Sequence, residues 1–248
     1  MPNGGLYAKI PARRGRTSRP EPAPASCPRV PNLEIASRAR CTVDDVGRNF
    51  DGWALDGRSE RMEQEHGKTV VGFLQGVRFR RPFEFLDVGC GNGWLVRRAA
   101  GMKGCTRAVG IDKSANMIQL ASSLAGPKEE FFRTGLEEWS GGPFDYAFSM
   151  EAIYYSPSVG AAVSSVYSLL RKGGTFFCGT DYYGENTATA GWPKRCGMEM
   201  QLLSEEEWRA AFRGAGFRVS SRRVTDPRGR AAWRREMGTL FITGKKPS

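Results

Sequence analysis

The sequence contains one histidine and no closely spaced pair of cysteines. Its six cysteines lie far apart along the chain, and His66 is the only histidine among 248 residues. A structural zinc site usually takes four such ligands, with pairs in Cys-x-x-Cys spacing. The sequence therefore predicts no metal site. The cysteine spacing and the lack of a secretory leader also predict free thiols in a reducing compartment.

Long hydrophobic runs are absent as well. No segment approaches the run of about 20 apolar residues that a membrane-spanning helix needs. We expect a soluble protein without a membrane span, in the cytoplasm. The arginine-rich N-terminus leaves the mitochondrion or another organelle as the alternative. A chain of 248 residues that is 40% apolar fits one α/β domain better than two.

Acidic residues are few: 26 oppose 37 lysines and arginines, which gives a net charge of +11. Residues 1–42 carry eight basic and two acidic residues and no apolar periodicity, so a flexible basic tail is predicted there, or a transit segment. A second basic concentration lies near the C-terminus. Basic stretches of this kind leave RNA open as a partner. The second concentration consists of Arg218, Arg222, Arg223, Arg228, Arg230, Arg234 and Arg235.

From Val43 onward, short apolar segments alternate with helical ones, a pattern typical of a parallel sheet covered by helices on both faces. We predict a Rossmann-like, doubly wound, seven-stranded and mostly parallel α/β sheet over residues 43–248. Within it, a helix is expected over Val159–Arg171, stopped by Lys172-Gly-Gly174. Ser114 is predicted to cap one helix, and a capping box of Ser204 and Glu207 to open another.

A glycine-rich loop follows the first predicted strand. The strand ends in Asp87 and turns through Gly89-Cys-Gly-Asn-Gly93 into a helix, which brings backbone amides and a helix N-terminus close to a ligand. Nicotinamide dinucleotide enzymes share such loops, but Trp94 stands where their pattern has glycine or alanine. Asp112 ends the next strand about 20 residues later, where a carboxylate can accept hydrogen bonds from ribose hydroxyls.

Four segments in this order resemble the class I S-adenosylmethionine-dependent methyltransferases, especially the ubiquinone/menaquinone-type and other small-molecule enzymes. The resemblance extends over about residues 43–245. It implies S-adenosylmethionine as methyl donor, S-adenosylhomocysteine as product, and methyl transfer by in-line displacement. The four segments are Leu86-Asp-Val-Gly-Cys-Gly-Asn-Gly93, Gly110-Ile-Asp-Lys-Ser-Ala-Asn-Met117, Phe144-Asp-Tyr-Ala-Phe-Ser149 and Leu169-Leu-Arg-Lys-Gly-Gly174.

The resemblance also implies which residues bind the cofactor. The glycine loop would hold the methionine moiety, Asp112 the ribose, and Met117 one face of the adenine. Residues 43–75 would form an N-terminal lid that closes over the cofactor. The full set of implied residues is Trp53, Arg58, Asp87, Gly89, Cys90, Gly91, Asn92, Gly93, Asp112, Lys113, Met117, Leu136, Glu137, Ser149 and Met150.

Two acids follow strands at the expected acceptor side. Glu151 comes after the fourth strand and Asp181 after the fifth, so both are candidate catalytic residues, with Glu151 as a base or hydrogen-bond acceptor. The alternative for Glu151 is a local capping role. Tyr154 and Tyr155 replace the glutamate and histidine that ligate metal in metal-assisted relatives, which again predicts no metal.

Residues 181–203 form a long aromatic insertion, and long loops in compact domains are often functional. The resemblance suggests that this insertion builds the acceptor pocket, so a small organic acceptor is the leading hypothesis. The alternative is an RNA (rRNA or tRNA) methyltransferase, or a ribosome-assembly factor with this fold. A noncatalytic binding module is a third. His66 fits a surface histidine and a base equally well, and it is left outside the catalytic set. The predicted acceptor residues are Tyr154, Tyr155, Tyr182, Tyr183, Glu185, Asn186 and Trp192.

Overall fold

The computed structural model of this protein describes residues 43–248, with side chains described from residue 46. The predicted tail, residues 1–42, lies outside this range. A sheet of seven strands occupies the centre of the described chain. The strands are β1 (Phe83–Val88), β2 (Cys105–Asp112), β3 (Glu129–Arg133), β4 (Phe144–Met150), β5 (Leu170–Thr180), β6 (Arg218–Val224) and β7 (Thr239–Lys245).

Helices precede the sheet and connect its strands. Two of them open the described chain before β1, and short helices interrupt the long connections after β5 and β6. They are α1 (Val43–Leu55), α2 (Arg58–Gln75), α3 (Trp94–Ala100), α4 (Ala115–Ser123), α5 (Val159–Ser168), α6 (Trp192–Cys196), α7 (Glu205–Gly214) and α8 (Ala232–Glu236).

The strand order is β3-β2-β1-β4-β5-β7-β6. The first five strands in this order are parallel, and β7 inserts antiparallel between β5 and β6. The chain reverses its winding direction at β1 and β4, and ligands of open α/β sheets bind at the carboxyl ends of the strands at such a point. The predicted fold class is confirmed.

Apolar side chains cover the sheet on both faces, as a doubly wound fold requires. One core cluster packs α5 and α7 against the sheet through residues such as Val163 and Trp208. The other packs α2 and α3 through residues such as Phe73 and Leu95. Because both faces are buried, the edge formed by the strand ends is where a polar site can open.

The predicted end of one helix is wrong. Helix α5 ends at Ser168, and Leu170 already begins β5. Leu170 pairs with Phe144, whereas Thr175 pairs with Tyr146, so the segment between them bulges out of the ladder. Gly173 has a φ of 70°, and a Cβ at Gly174 would lie 2.8 Å from a backbone oxygen. The two glycines therefore serve this bulge and not a helix stop.

Other local predictions were confirmed. The Ser114 hydroxyl accepts a hydrogen bond from the Met117 amide and caps α4. Ser204 and Glu207 form the reciprocal capping box that opens α7. Among the thiols, Cys90, Cys105 and Cys178 are free and buried. The prediction is wrong for Cys196, which is disulfide-bonded, because spacing along the chain does not report which sulfurs meet after folding.

Within residues 43–248, none of the helices is both long and apolar enough to cross a membrane. The same range contains no cluster of three histidine, cysteine or acidic side chains that could hold a metal ion.

Candidate cofactor and acceptor site

A cleft of about 870 Å³ opens at the carboxyl ends of the parallel strands, and we call it the main cleft. Helices α1 and α2 form its outer wall, and the loops after β1, β2, β3 and β4 form the rest. Its lining consists of Val46, Gly47, Phe50, Met62, Val88, Gly89, Gly91, Ile111, Asp112, Lys113, Met117, Thr134, Gly135, Leu136, Glu137, Met150, Glu151, Ala152, Ile153, Tyr155 and Ser156.

The glycines of the β1 loop are required first by the protein itself. Gly89 and Gly93 have φ angles of 74° and 76°. A Cβ at Gly89 would lie 2.3 Å from the Ala152 methyl group, and one at Gly93 would lie 2.5 Å from the Phe131 ring. These contacts force glycine at both positions before any ligand is considered. Only Gly89 and Gly91 of the loop glycines line the main cleft.

Asp112 fixes the loop from the end of β2. One carboxylate oxygen accepts from the Gly91 amide at 2.9 Å, and the other accepts from the Ser114 amide at 2.9 Å. Burial raises the pKa of this carboxyl, and the two amide hydrogen bonds oppose that rise. Each oxygen keeps a lone pair for a further donor. Asp112 therefore joins two loops and still presents acceptors to the main cleft.

The predicted adenine end is assembled beside Asp112. Met117 is buried on α4 and lines the main cleft together with Leu136. Lys113 and Glu137 line the same region and form an ion pair with each other. The pair lowers the pKa of the Glu137 carboxyl, although desolvation works in the opposite direction. An apolar slot with one exposed ion pair at its mouth suits a flat, polar-edged ring.

A second cavity of about 460 Å³ adjoins the main cleft, and we call it the small cavity. Asp87, Cys90 and Asn92 of the predicted cofactor set line it. Burial and the nearby Asp112 raise the pKa of Asp87 to about 8. The two cavities share part of their walls, so they form one continuous site. The shared residues are Met62, Gly89, Gly91, Met117 and Met150.

Four residues of the predicted cofactor set, Trp53, Arg58, Gly93 and Ser149, do not line either cavity. Gly93 is the N-cap of α3. The Ser149 hydroxyl is buried and donates to the Val88 carbonyl at 2.9 Å, which ties β4 to β1. Trp53 is buried beneath Arg58, whose guanidinium lies 5.0 Å from the indole centroid and pairs with Asp56. Cofactor contact by these four residues stays a prediction.

Glu151 stands at the start of the β4 loop in a strained backbone conformation. Its φ is 54°, which is uncommon for a residue with a side chain and costs about 1–3 kcal/mol. One carboxyl oxygen pairs with the Tyr154 hydroxyl at 2.8 Å, and the other accepts from the Asp181 amide. Burial, with the Asp181 carboxylate nearby, raises the pKa of Glu151 to about 8. Glu151 lines the main cleft.

Asp181, the other predicted catalytic acid, is fully buried behind Glu151 and does not line either cavity. One carboxylate oxygen accepts from the Thr239 hydroxyl at 2.6 Å. The other lies 3.6 Å from His66 Nδ1 and 3.7 Å from Arg234 Nη2. The geometry lets Asp181 act on the cleft only through these neighbours.

Most of the predicted acceptor residues pack into the core. Tyr154, Tyr182, Tyr183 and Trp192 are buried, and the rings of Tyr182 and Trp192 stack at 6.2 Å. These four residues, with Glu185 and Asn186, lie outside the walls of both cavities, and only Tyr155 of the set lines the main cleft. Acceptor contact by residues other than Tyr155 stays a prediction.

The two polar members of the insertion make local contacts. Glu185 accepts from the Glu205 amide at 3.1 Å and so helps to hold the start of α7. The Asn186 amide donates to the Asp181 carbonyl at 2.8 Å and fixes the turn after β5. Both contacts fix the backbone of the segment that follows β5.

Sequence reasoning missed one face of α2. Ser59, Met62 and His66 line the small cavity, and their spacing of three and four residues puts them on one side of a helix. Of the two roles left open for His66, the surface one is wrong, because the residue is 2% exposed. The signal was the helical spacing itself, which places a hydroxyl, a thioether and an imidazole on one face.

The C-terminal arginines are largely engaged with the protein. Arg222 donates to the Phe73 carbonyl and lies over its ring, Arg223 pairs with Glu205, and Arg235 donates to the Gly229 carbonyl. Arg234 is buried and pairs with Glu65 at 3.1 Å. These contacts stabilise the β6–β7 end of the sheet and reduce the charge free to meet a polyanion.

The residues present fit S-adenosylmethionine. Asp112 offers acceptors for two hydroxyls, Met117 and Leu136 offer an apolar slot, and Asp87 and Asn92 offer polar groups in the adjoining small cavity. The whole site lies where the winding of the sheet reverses, as Rossmann-like cofactor sites do.

Comparison with known proteins agrees with the fit of this site to S-adenosylmethionine. A family model described as a methyltransferase domain matches residues 59–222. The chain is 30% identical to the sterol 24-C-methyltransferase of Saccharomyces cerevisiae over 115 residues, which cover 41% of this chain and 29% of that enzyme. It is 30% identical to the ubiquinone biosynthesis O-methyltransferase of Agrobacterium fabrum over 128 residues, covering 48% and 50%. The chain thus spans half or less of the length of these curated relatives.

A solved structure extends the similarity to the whole domain. It is the complex between the Haloferax volcanii Trm112 methyltransferase activator and a methyltransferase. The match has a TM-score of 0.75 and 29% identity, and it covers 80% of this chain and 98% of the other. The chain belongs to the methyltransferase domain family and has the fold of class I S-adenosylmethionine-dependent methyltransferases.

Proposed function

We propose that this protein transfers the methyl group of S-adenosylmethionine to a small organic acceptor by in-line displacement. The observation that carries the proposal is the shape and lining of the main cleft. Phe50, Met62, Ile153 and Tyr155 give it apolar walls, and Glu151 supplies a buried carboxyl beside them. A mostly apolar cavity with few placed polar groups is typical of sites for small molecules.

The protein's contribution to methyl transfer is mainly positioning. The sulfonium of the donor supplies an excellent leaving group, so no covalent enzyme intermediate is needed. Asp112 and the β1 loop would hold the donor, while α1 and α2 would keep water from the reacting atoms. Glu151, whose pKa is raised to about 8, would hydrogen-bond the acceptor. Asp181 would act as a positioning residue, because its amide holds the Glu151 carboxyl.

Helices α1 and α2, within residues 43–75, would serve as the lid. Asp51 on α1 accepts from the Ser114 hydroxyl at 2.6 Å and from the Asn116 amide at 3.0 Å. These bonds fasten α1 to the start of α4, directly beside Asp112. The insertion at 181–203 would support the acceptor site from behind, through the contacts of Asp181 and Asn186.

The proposal is tested by methyl labelling of cell extracts. Purified enzyme is incubated with extract and S-adenosylmethionine carrying a tritiated methyl group, and the products are separated into small-molecule, RNA and protein fractions. We expect label in the small-molecule fraction, above the level obtained with the Asp112→Ala variant. Label confined to RNA or protein would contradict the proposal.

A second candidate is methylation of RNA, which exposed basic side chains favour, and an activator protein is a candidate partner. The similar Haloferax volcanii protein is in complex with a methyltransferase activator, and Arg218, Arg228 and Arg230 are exposed near the C-terminus. The full chain should then bind RNA with an affinity that falls steeply with salt, since each phosphate contact releases counterions. Labelling with and without a coexpressed Trm112-type activator tests the partner. RNA affinity that is flat with salt would remove this candidate.

A further inference from the structure

His66 is a buried titratable group that the proposed function leaves unused. Its side chain lies on α2 and lines the small cavity. Among the described residues, neither ring nitrogen has a hydrogen-bond partner. Buried polar groups are almost always paired, and an unpaired one costs about 1–3 kcal/mol. An imidazole left in this state at the wall of a cavity is suited to a ligand.

One side of the imidazole faces a fixed carboxylate. Nδ1 lies 3.6 Å from the Asp181 oxygen, and that oxygen also has no hydrogen-bond partner within residues 43–248. The other Asp181 oxygen is held by Thr239 at 2.6 Å. A carboxylate beside Nδ1 orients an imidazole and stabilises its charged form, so that Nε2 is the nitrogen left for a ligand.

Arg234 limits how much charge this pair carries. Its guanidinium lies 3.7 Å from Asp181 and is itself fixed by Glu65 and by the face of Trp233. Desolvation, with Arg234 adding to it and Asp181 opposing it, lowers the pKa of His66 to about 4. The ring is therefore neutral at neutral pH, as a proton acceptor must be.

His66 lies at the sheet edge that also carries the two candidate catalytic acids. Asp87, Glu151 and Asp181 stand at the carboxyl ends of β1, β4 and β5, which are neighbours in the sheet. His66 adjoins Asp181, and its cavity opens into the main cleft through walls that include Met62 and Met150. The imidazole thus lies on the β5 side of the site, away from the adenine end at β2 and β3.

We propose, building on the function proposed above, that His66 is the base for an acceptor whose nucleophile is a weakly acidic O–H or N–H group. The acceptor's lone pair forms the bond to the methyl carbon, and the carbon–sulfur bond breaks with its electron pair left on sulfur. The proton leaves the nucleophile for His66 Nε2. Asp181 is the positioning residue that stabilises the resulting imidazolium.

The unique histidine makes a direct test available. With ¹⁵N-labelled histidine, the full-length protein gives one imidazole spectrum, which is recorded at pH 7 with saturating S-adenosylmethionine and with saturating S-adenosylhomocysteine. The two ligands differ only in the methyl group and its positive charge. We expect a neutral ring in both complexes and different ring nitrogen shifts between them. A Lys68→His variant adds an exposed reporter on the same helix, whose shifts should agree in both complexes.

Two spectral outcomes would overturn the assignment: identical His66 shifts in the two complexes, or a doubly protonated ring at pH 7. Calorimetry on the same samples separates the two proposals, because failure of both ligands to bind would remove the proposed function itself.

The His66→Gln variant completes the test. It should bind S-adenosylmethionine within about threefold of the wild type, yet transfer label to the small-molecule fraction at least a hundredfold more slowly, in the range for lost acid–base catalysis. A tenfold loss of cofactor affinity would assign His66 to the donor instead and contradict the proposal. Undiminished labelling would also contradict it.

Discussion

Asp112 combines a structural and a binding role in one side chain. Its oxygens accept from the amides of Gly91 and Ser114 and also line the main cleft. The Asp112→Ala variant should bind S-adenosylmethionine at least tenfold more weakly, because a hydrogen bond to a charged group is worth about 1.5–3 kcal/mol. Calorimetry measures this loss directly.

A matched control separates binding from folding. Asp226 accepts from the Arg228 amide at 3.0 Å in a turn outside both cavities. Asp226→Ala removes the same kind of carboxylate bond and should leave the cofactor affinity unchanged. Equal affinities for the Asp112→Ala variant and the wild type would refute the binding role of Asp112.

At this scale, sequence reasoning found the residues whose position follows from a strand end. Asp112 and Glu151 end or follow strands, so their place at the edge of the sheet was predictable. The burial of Tyr182 and Trp192 was not, because a loop rich in aromatics can line a pocket or fill a core. That choice depends on packing against residues distant in sequence, such as Trp233 against Trp192 at 6.1 Å.

Helix α7 depends on its first turn. The Ser204 hydroxyl accepts from the Glu207 amide, the Glu207 carboxylate accepts from the Ser204 amide, and Glu185 accepts from the Glu205 amide. The Ser204→Ala variant should lose about 1 kcal/mol of unfolding free energy, since it leaves the Glu207 amide without its acceptor. Urea unfolding of purified variants provides the measurement.

Ser164→Ala is the companion variant for this experiment. Ser164 is exposed inside α5 and donates only to the Gly160 carbonyl, so alanine there should be neutral or slightly stabilising. Cofactor affinity should stay unchanged in both variants. A stability loss of equal size in the two would show that capping is not the cause.

Helix starts with a local capping signal could be predicted from the sequence. A helix end that is decided by strand pairing could not. The Ser204 box can be recognised from four residues, as can the cap at Ser114. The end of α5 was misjudged because Lys172-Gly-Gly174 has the composition of a helix stop, whereas strand pairing between Leu170 and Phe144 decides the outcome.

At the scale of the whole molecule, buried titratable groups make stability depend on pH. Glu151 and Asp87 have pKa values raised to about 8, so the folded state holds protons that the unfolded chain releases near pH 4. The contribution of these two carboxyls to the unfolding free energy is present at low pH and is lost as pH rises through about 8. The pKa of His66 is lowered to about 4. This group therefore makes the unfolding free energy rise with pH, but only below about pH 6.5.

The unfolding free energy of the ligand-free protein should therefore fall most clearly between about pH 6.5 and 8, by at most about 1.4 kcal/mol per pH unit for each carboxyl. Glu151→Gln mimics the protonated carboxyl and should flatten this dependence. Glu63→Gln, an exposed change on α2, should not. Chemical denaturation at several pH values checks the slopes, and equal slopes in all three proteins would contradict the assignment.

The wall shared by the main cleft and the small cavity is built mainly of thioethers. Met62, Met117 and Met150 border both spaces, with only Gly89 and Gly91 beside them. Methionine is unbranched and polarizable, so this boundary can change shape by rotating single bonds. The same chemistry makes it vulnerable to oxidants, because a sulfoxide would set a polar, chiral group at the boundary of the two cavities. Mild oxidation would then abolish the activity while the sheet stays folded.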